Sequence, residues 1–252
     1  MNYKISALIP TFNEEHNIAE AIDSVSWADE ILVVDSFSTD STVEIAKNKG
    51  AKVIQRTYEY SASQKNWAIP QASHDWVILI DADERITFNL KTEIINVVKN
   101  NLPYCAFWIK RQNHFMGKKI RFSGWQGDKV IRLFRKDKCV YEDKNVHAEM
   151  ICDGKVGILK EKLIHYTFKD IHHYLEKWDR YSTWGANERY SKGERVNFYH
   201  LSFKPIFRFM RDYFLKLGFL DGLTGLIICI LSGMSVFIRS LKIKDLRESD
   251  SF

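Results

Sequence analysis

Four runs of apolar residues, separated by stretches with helical spacing, organise the first hundred residues of the chain. Between the first two runs, Ile18, Ala21, Ile22 and Val25 recur at intervals of three and four, which is typical of an amphipathic helix. Uninterrupted apolar runs predict buried parallel strands, and strand–helix alternation predicts a doubly wound sheet with right-handed crossovers. The predicted strands cover residues 5–9, 30–35, 51–54 and 76–80, with a further helix over 61–69.

Acidic and polar residues follow three of these strands. The fourth strand runs into Asp81, Asp83 and Glu84, the second ends in Asp35, and the first leads into a polar turn over residues 11–14. Open α/β sheets bind ligands at the carboxyl ends of their strands. Residues two apart on an extended chain point the same way, so Asp81 and Asp83 together suit an oxygen-preferring ion such as Mg²⁺ or Mn²⁺. The alternative is a solvated acidic turn, but three polar strand ends on one edge favour a binding site.

The pattern changes at about residue 104. A strand over 104–109 leads into a basic and aromatic loop over 110–125, and a partly covered strand follows over 127–135. Arg132 and Arg135 interrupt that strand; they suit a phosphate or an anionic acceptor, and solvated charges explain them equally well. Residues 171–191 predict a long aromatic helix.

The last fifty residues predict an element that associates with a membrane. Apolar residues over 203–217 recur at helical spacing with basic residues mostly opposite, which is typical of a helix lying in a membrane interface. The uncharged run over 222–238 spans about 25 Å as a helix, less than the ~30 Å hydrocarbon core of a bilayer. We therefore favour an interfacial or hairpin-like segment over a full span. A helical cap on the soluble domain, or an oligomer interface, is the alternative.

Composition narrows the class of protein. The chain has 252 residues, 45% of them hydrophobic, and a net charge of +5, as expected for a globular protein with an anionic partner such as a nucleotide, a membrane surface or a nucleic acid. Its basic residues are dispersed and form no aromatic–basic RNA motif, which argues against a nucleic-acid-binding module. The four cysteines form no CxxC pair, so the spacing predicts neither a zinc site nor a disulfide framework and suits a reducing cytosol.

Four motifs follow one another along the first hundred residues. They are Pro10-Thr11-Phe12-Asn13-Glu14, Val33-Val34-Asp35, Gln64-Lys65-Asn66 and Asp81-Ala82-Asp83. Together they resemble the inverting family 2 glycosyltransferases of the GT-A fold, and the likeness covers the first hundred residues. Farther along, the run over 127–135 and the pairs Val146-His147 and His165-Tyr166 resemble lipopolysaccharide-core β-1,4-glucosyltransferases.

The resemblance implies an α/β fold of the GT-A type with a mostly parallel sheet and flanking helices, and the spacing of apolar and basic residues adds C-terminal amphipathic, membrane-associating helices. It implies a glycosyltransferase domain over 1–195, divided into a nucleotide-binding half (1–103) and an acceptor half (104–195), and a C-terminal helical region over 196–252.

The resemblance also implies a role for individual residues. Asp35 would accept a hydrogen bond from the uracil imide, Lys65 would face the diphosphate, and Asp128 would be the general base; a turn residue or a partner for Arg132 is the alternative for Asp128. His165 is expected to be structural. The nucleotide-sugar pocket would be formed by Pro10, Thr11, Asn13, Glu14, Asp35, Lys65, Asp81 and Ala82, and the metal would be held by Asp83, Asp81 and His147, although a lone histidine such as His147 is more often structural.

The activity implied is transfer of a hexose, with glucose favoured, from a UDP-sugar to a lipopolysaccharide-core or related surface-glycan acceptor, with inversion and with Mg²⁺ or Mn²⁺ as cofactor. The expected partners are the UDP-sugar donor, a glycolipid or surface-glycan acceptor and the cytoplasmic face of the cell membrane, with no nucleic acid. Transfer to a polyprenyl phosphate, or to a capsule or protein acceptor, is the alternative within the same fold.

Overall fold

The structure is a computed structural model that describes residues 3–100, 102–144 and 148–249. The chain forms two compact units. The first comprises Met1–Gln112 and Asp128–His165, and the second comprises Asn113–Gly127 and Tyr166–Phe252. The functional division at 103/104 and 195/196 stays a prediction.

Eleven strands lie in the part of the chain that the structure describes. They are β1 (Ile5–Thr11), β2 (Glu30–Asp35), β3 (Lys52–Gln55), β4 (Trp76–Leu79), β5 (Glu84–Arg85), β6 (Ala106–Phe115), β7 (Lys118–Lys119), β8 (Lys129–Arg135), β9 (Cys139–Tyr141), β10 (Met150–Cys152) and β11 (Val156–Phe168). The main sheet has the order β3-β2-β1-β4-β8-β6-β11-β5, with β7 on β6, and β9 pairs with β10 in a separate hairpin.

The predicted parallel sheet is the half formed by the first four strands. β1 pairs in parallel with β2 and with β4, and β2 pairs in parallel with β3. β8 then joins β4 antiparallel, and β6 joins β8 antiparallel. The α/β fold predicted from strand–helix alternation is confirmed, and the later strands extend it with antiparallel pairs.

Helices cover the sheet and make up the C-terminal part of the chain. They are α1 (Ile18–Ser24), α2 (Thr42–Asn48), α3 (Ser61–Ala68), α4 (Phe88–Lys99), α5 (Ile171–Ser191), α6 (Phe198–Leu201), α7 (Phe203–Met210) and α8 (Gly222–Ser249). Five of the strand and helix predictions match closely: β2 over 30–35, β3 over 51–54, β4 over 76–80, α3 over 61–69 and α5 over 171–191.

Both faces of the parallel strands are buried. Ile9 and Ile78 belong to one apolar cluster, while their neighbours Leu8 and Leu79 belong to another, and all four side chains are fully buried. Successive side chains on a strand point to opposite faces, so the two clusters lie on opposite sides of the sheet. Uninterrupted apolar runs in the sequence follow from this double burial.

In the second unit, α8 packs against other helices along one face. A Cβ added to Gly233 would lie 3.0 Å from the Pro205 backbone oxygen, so the glycine permits close approach of α7. The buried residues recur at helical spacing: Gly225, Ile228, Cys229, Gly233, Val236, Ser240 and Ile243. The opposite face keeps large apolar side chains exposed, among them Leu223, Ile227, Ile230, Met234, Phe237 and Leu241.

The turn before α8 has a defined structural role. The carboxylate of Asp221 accepts hydrogen bonds from the backbone N–H of Arg121 at 3.0 Å and of Phe122 at 2.9 Å, and from the hydroxyl of Ser123 at 2.8 Å. The loop predicted over 110–125 is wrong in its first part, because β6 continues to Phe115 and pairs with β7 at Lys118–Lys119. Asp221 therefore holds the segment that follows this strand pair.

Candidate active site

The polar strand ends meet at one edge of the parallel sheet. Thr11 pairs with Asp35 in the β1–β2 register, and β4, which precedes Asp81, lies on the other side of β1. Because the strands are parallel, their carboxyl ends share an edge, as expected for a ligand site in an open α/β sheet.

Asp35 is fully buried and strongly hydrogen-bonded. Its Oδ2 accepts from the Ser38 backbone N–H at 3.0 Å and from the Gln55 amide at 2.9 Å, and its Oδ1 accepts from the Ser38 hydroxyl. A carboxylate has about four lone-pair sites, so it can accept one further donor. These contacts fix its orientation.

The polar turn after β1 is tied to the segment after β2. Asn13 adopts a left-handed conformation with φ of 53°, its backbone N–H donates to Ser38 Oγ at 2.8 Å, and its Oδ1 accepts from the Thr39 N–H at 2.8 Å. The Glu14 N–H donates to Thr42 Oγ1 at 2.8 Å. The two turns therefore form one preorganised wall, beside Pro10, which lies in β1 opposite Val34.

Three buried polar atoms near this edge make no hydrogen bond to any residue that the structure describes: Thr11 Oγ1, Gln64 Oε1 and Arg132 Nε. Buried polar groups in folded proteins are nearly always paired, so orphans on adjoining elements indicate a place for a polar ligand. The Nε–H of Arg132 is a charged donor and suits an anion.

Asp81 is held between two cations. Its carboxylate pairs with Arg132 and lies 3.4 Å from the Lys65 ammonium, while about a third (34%) of its side chain stays exposed. Burial opposes the charged form, but Arg132 and Lys65 outweigh it and hold the pKa of Asp81 far below its usual range. Burial likewise opposes the charge of Lys65, and Asp81 outweighs it, so the pKa of Lys65 is raised.

Glu84, which sequence reasoning left without a role, links the arginines of the site. It is fully buried; its Oε1 lies 2.8 Å from Arg132 Nη2 and 3.5 Å from Arg111 Nη1. Its Oε2 accepts from the Asp81 backbone N–H at 3.0 Å. One carboxylate therefore contacts both arginines and the backbone of Asp81.

Arg132 is not a solvated charge. Only 3% of it is exposed, and although burial opposes its charge, Asp81 and Glu84 raise its pKa well above the usual value. The solvated alternative for this residue is wrong, because β8 pairs with β4 and brings Arg132 beneath the acids that follow β4.

Asp128 lies directly before β8 and forms a two-point ion pair with Arg111. Arg111 Nη2 is 2.7 Å from Asp128 Oδ1, and Nε is 2.9 Å from Oδ2. Asp128 therefore has Arg111 as an ion-pair partner. The two hydrogen bonds from Arg111 fix the orientation of the Asp128 carboxylate.

Asp83 lies beside His165. His165 Nε2 is 3.6 Å from Asp83 Oδ2, and the two side chains are 12% and 13% exposed. The antiparallel pairing of β5 with β11 sets Glu84 opposite His165 and explains the contact. Sequence spacing gave no signal for it because the residues are 82 positions apart. His147, predicted as a metal ligand, lies outside the described residues.

A carboxylate and an imidazole at this separation suit a divalent ion that accepts oxygen and nitrogen ligands. Asp83 with His165 therefore fits a divalent metal. Asp81 fits one less well, because Arg132 and Lys65 already compensate its charge. Ala82, between the two acids, is buried and its carbonyl accepts from Arg85 at 2.7 Å.

Comparison with known proteins identifies the class that this fold and site define. The model of glycosyl transferase family 2 matches residues 6–150, more than half of the chain. The chain therefore belongs to glycosyl transferase family 2, and the resemblance seen in the sequence is confirmed.

Relatives support this assignment over nearly the whole chain. An uncharacterized glycosyltransferase from Rickettsia typhi is 32% identical over 255 aligned positions, covering 96% of this chain and 87% of the relative. The lipopolysaccharide core biosynthesis glycosyltransferase LpsC of Rhizobium meliloti is 27% identical, covering 93% of this chain and 92% of LpsC.

One solved structure is similar to less than half of the chain. Glucosyl-3-phosphoglycerate synthase from Mycobacterium tuberculosis, solved with Mn²⁺, UDP and glucosyl-3-phosphoglycerate, is 26% identical over 44% of each chain, with a TM-score of 0.38.

Proposed function

We propose that this glycosyltransferase moves a hexose, with glucose favoured, from a UDP-sugar to a lipopolysaccharide-core or related surface-glycan acceptor, with inversion at the anomeric carbon. The observation that carries the proposal is the pairing of Asp81 with Lys65 and Arg132 at the carboxyl edge of the sheet. Two cations there, one with an unpaired Nε–H, suit the diphosphate of a nucleotide sugar.

The donor would lie along the wall formed by the two turns. Asp35 would accept from the uracil imide, and Thr11, Asn13 and Glu14 would line the nucleotide pocket with Pro10 and Ala82. The orphaned Thr11 hydroxyl supports this placement because it has a donor and an acceptor available. Lys65 would then contact the diphosphate.

A divalent ion, Mg²⁺ or Mn²⁺, would be held by Asp83 and His165, with Asp81 and His147 as the further ligands predicted from sequence. When bound, such an ion neutralises negative charge on a departing nucleoside diphosphate. The nearby contact of His165 with Asp83 supports this set of ligands.

Asp128 would be the general base. The acceptor hydroxyl attacks the anomeric carbon on the face opposite the nucleotide, the bond to the diphosphate oxygen breaks, and the proton of the hydroxyl passes to the Asp128 carboxylate. Arg111 orients that carboxylate through two hydrogen bonds.

The acceptor class rests on the likeness to LpsC, which extends over 93% of this chain. A polyprenyl-linked acceptor is the second candidate. A UDP-glucose:α-D-GlcNAc-diphosphoundecaprenol β-1,3-glucosyltransferase, WfgD of Escherichia coli, is 30% identical over 47% of this chain.

A membrane-associated acceptor suits the second unit. Among the described residues, one helical segment, Gly218–Ser249, is long and apolar enough to cross a membrane, and its most apolar 18-residue window has a mean hydropathy of 1.9. Because α8 buries one face against protein and exposes the other, we propose that it lies at the cytoplasmic face of the cell membrane with α7.

Release of UDP from a panel of UDP-sugars, measured with defined core glycolipids and with an undecaprenyl-diphosphate-linked sugar, tests the proposal. We expect release with UDP-glucose, dependence on Mg²⁺ or Mn²⁺, and loss of activity in Asp83→Ala. A folded protein that releases UDP from no sugar with either acceptor would contradict it.

A further inference from the structure

Three cysteines, scattered in sequence, converge in the first unit. The sulfur atoms of Cys105, Cys139 and Cys152 all lie within 4.8 Å of one another, and all three are free thiols. Cys105 and Cys139 are 7% and 6% exposed, and Cys152 is half-buried. The prediction from spacing, that the chain holds no zinc site, does not allow for this convergence.

The fold brings the three together through strand pairing. Cys139 on β9 lies directly opposite Cys152 on β10, with their sulfur atoms 3.0 Å apart. Cys105 precedes β6, and its backbone N–H donates to the Lys155 carbonyl at 2.9 Å, which fixes it beside the turn that follows β10. A Cβ added to Gly154 in that turn would lie 3.0 Å from Cys105 Sγ, so the turn closes tightly over the thiol.

We propose that these three cysteines bind a thiophilic d¹⁰ ion, Zn²⁺, as a structural site separate from the transfer reaction. Thiolates prefer such ions, and zinc–sulfur bonds of about 2.3 Å set tetrahedral sulfur atoms about 3.8 Å apart. The Cys139 and Cys152 sulfur atoms are closer than that value, at 3.0 Å, and no pair of the three is farther apart than 4.8 Å, so side-chain shifts of about 1 Å bring the three to it. Water completes the fourth position from the exposed side of Cys152.

The third thiol separates this proposal from a simple disulfide. A disulfide would use Cys139 and Cys152 and leave the approach of Cys105 unexplained, whereas a metal ion uses all three sulfur atoms. Binding releases three thiol protons to solvent and involves no redox change.

The ion would stabilise a hairpin that borders the candidate active site. An isolated two-stranded hairpin is marginally stable, and β9 carries Tyr141, whose ring lies 5.3 Å from the Lys65 ammonium. The Tyr141 backbone also exchanges two hydrogen bonds of 2.9 Å with the Asn66 side chain. Zinc at the base of the hairpin therefore holds Tyr141 against α3.

Metal analysis of the whole chain tests the proposal. The protein is kept reduced with a phosphine, loaded with Zn²⁺ in excess Mg²⁺ to occupy oxygen-ligand sites, dialysed, and measured by mass spectrometry of the metal. We expect about one zinc ion per chain. We expect Cys139→Ser and Cys152→Ser to lose it and Cys229→Ser, a buried cysteine on α8, to keep it.

Cobalt spectroscopy of the wild-type protein tests metal binding without any variant, so its result does not depend on whether the variants fold. Co²⁺ should give thiolate-to-metal charge-transfer bands that zinc abolishes. Absence of zinc retention and of these bands in the reduced protein would overturn the proposal, as would zinc retained equally by Cys139→Ser and Cys152→Ser. A Cys139–Cys152 disulfide in protein that binds neither metal would also overturn it and assign the pair to redox chemistry.

Discussion

Replacing Glu84 with glutamine isolates the charge of the residue that joins the two arginines. The substitution keeps the side-chain volume and one hydrogen-bond acceptor but removes the negative charge that contacts Arg132 at 2.8 Å and Arg111 at 3.5 Å. The local cluster then changes from three cations and three anions (Lys65, Arg111, Arg132; Asp81, Glu84, Asp128) to an excess of one positive charge.

The expected loss in free energy of unfolding follows from the complete burial of Glu84. Removing one partner from a buried ion pair costs about 3–5 kcal/mol, and the retained hydrogen bond favours the lower end, about 3 kcal/mol. For a protein of this size, 1 kcal/mol corresponds to about 2–4 °C in Tm, so we expect a fall of about 6–12 °C.

Thermal unfolding followed by circular dichroism measures this effect, and urea titration at pH 7 gives the free energy of unfolding. Glu59→Gln is the matched control, because Glu59 also pairs with an arginine, Arg56, but its side chain is 59% exposed. We expect the control to change stability by less than about 0.5 kcal/mol. Equal Tm values for Glu84→Gln and wild type would refute the role assigned to Glu84.

Three further predictions concern the base, the pH dependence and the membrane face. Asp128→Asn should lower kcat by about 10²–10⁴-fold and leave the affinity for the donor unchanged. Asp137→Asn, which removes one partner of an exposed ion pair, should leave kcat unchanged. Steady-state kinetics measure kcat, and UDP titration measures the donor affinity. Burial raises the pKa of Glu30, but hydrogen bonds from Ser6 and Ser73 outweigh burial and lower the pKa below 4.5. The stability that Glu30 contributes is therefore complete above pH 4.5 and is lost as the pH falls through the folded-state pKa. The difference in urea midpoint between wild type and Glu30→Gln should shrink on acidification, and a constant difference would contradict this. Ile206→Asp with Phe207→Asp, both 60% exposed, should weaken binding to anionic vesicles by at least about tenfold in co-sedimentation, while Ile151→Asp, 56% exposed in the first unit, should not.

The local sequence pattern predicted the parallel half of the sheet because its central strands, β1 and β4, are buried on both faces and are therefore largely apolar. The acids at the strand ends were visible for the same reason, since Asp35 and Asp81 follow directly from apolar runs. Apolar runs and the residues next to them are short-range features of the sequence, and they were sufficient to predict the acids at the strand ends.

The remaining contacts depend on pairing between distant segments. Arg132 reaches Asp81 because β8 pairs antiparallel with β4, and His165 reaches Asp83 because β11 pairs with β5. The cysteines meet through the β9–β10 register. Periodicity in one sequence carries no information about such partners, so the roles of Glu84, Arg111 and the cysteine cluster could not be predicted.

Calorimetric titration with UDP, with and without Mn²⁺, tests whether this edge of the sheet binds a nucleotide sugar and its metal. We expect UDP to bind more tightly than ADP and Mn²⁺ to tighten UDP binding. We expect Asp83→Asn to remove the tightening and to leave metal-free UDP binding in place. UDP that binds no better than ADP, or an Mn²⁺ effect that persists unchanged in folded Asp83→Asn, would contradict the assignment of this edge of the sheet to a nucleotide sugar and its metal.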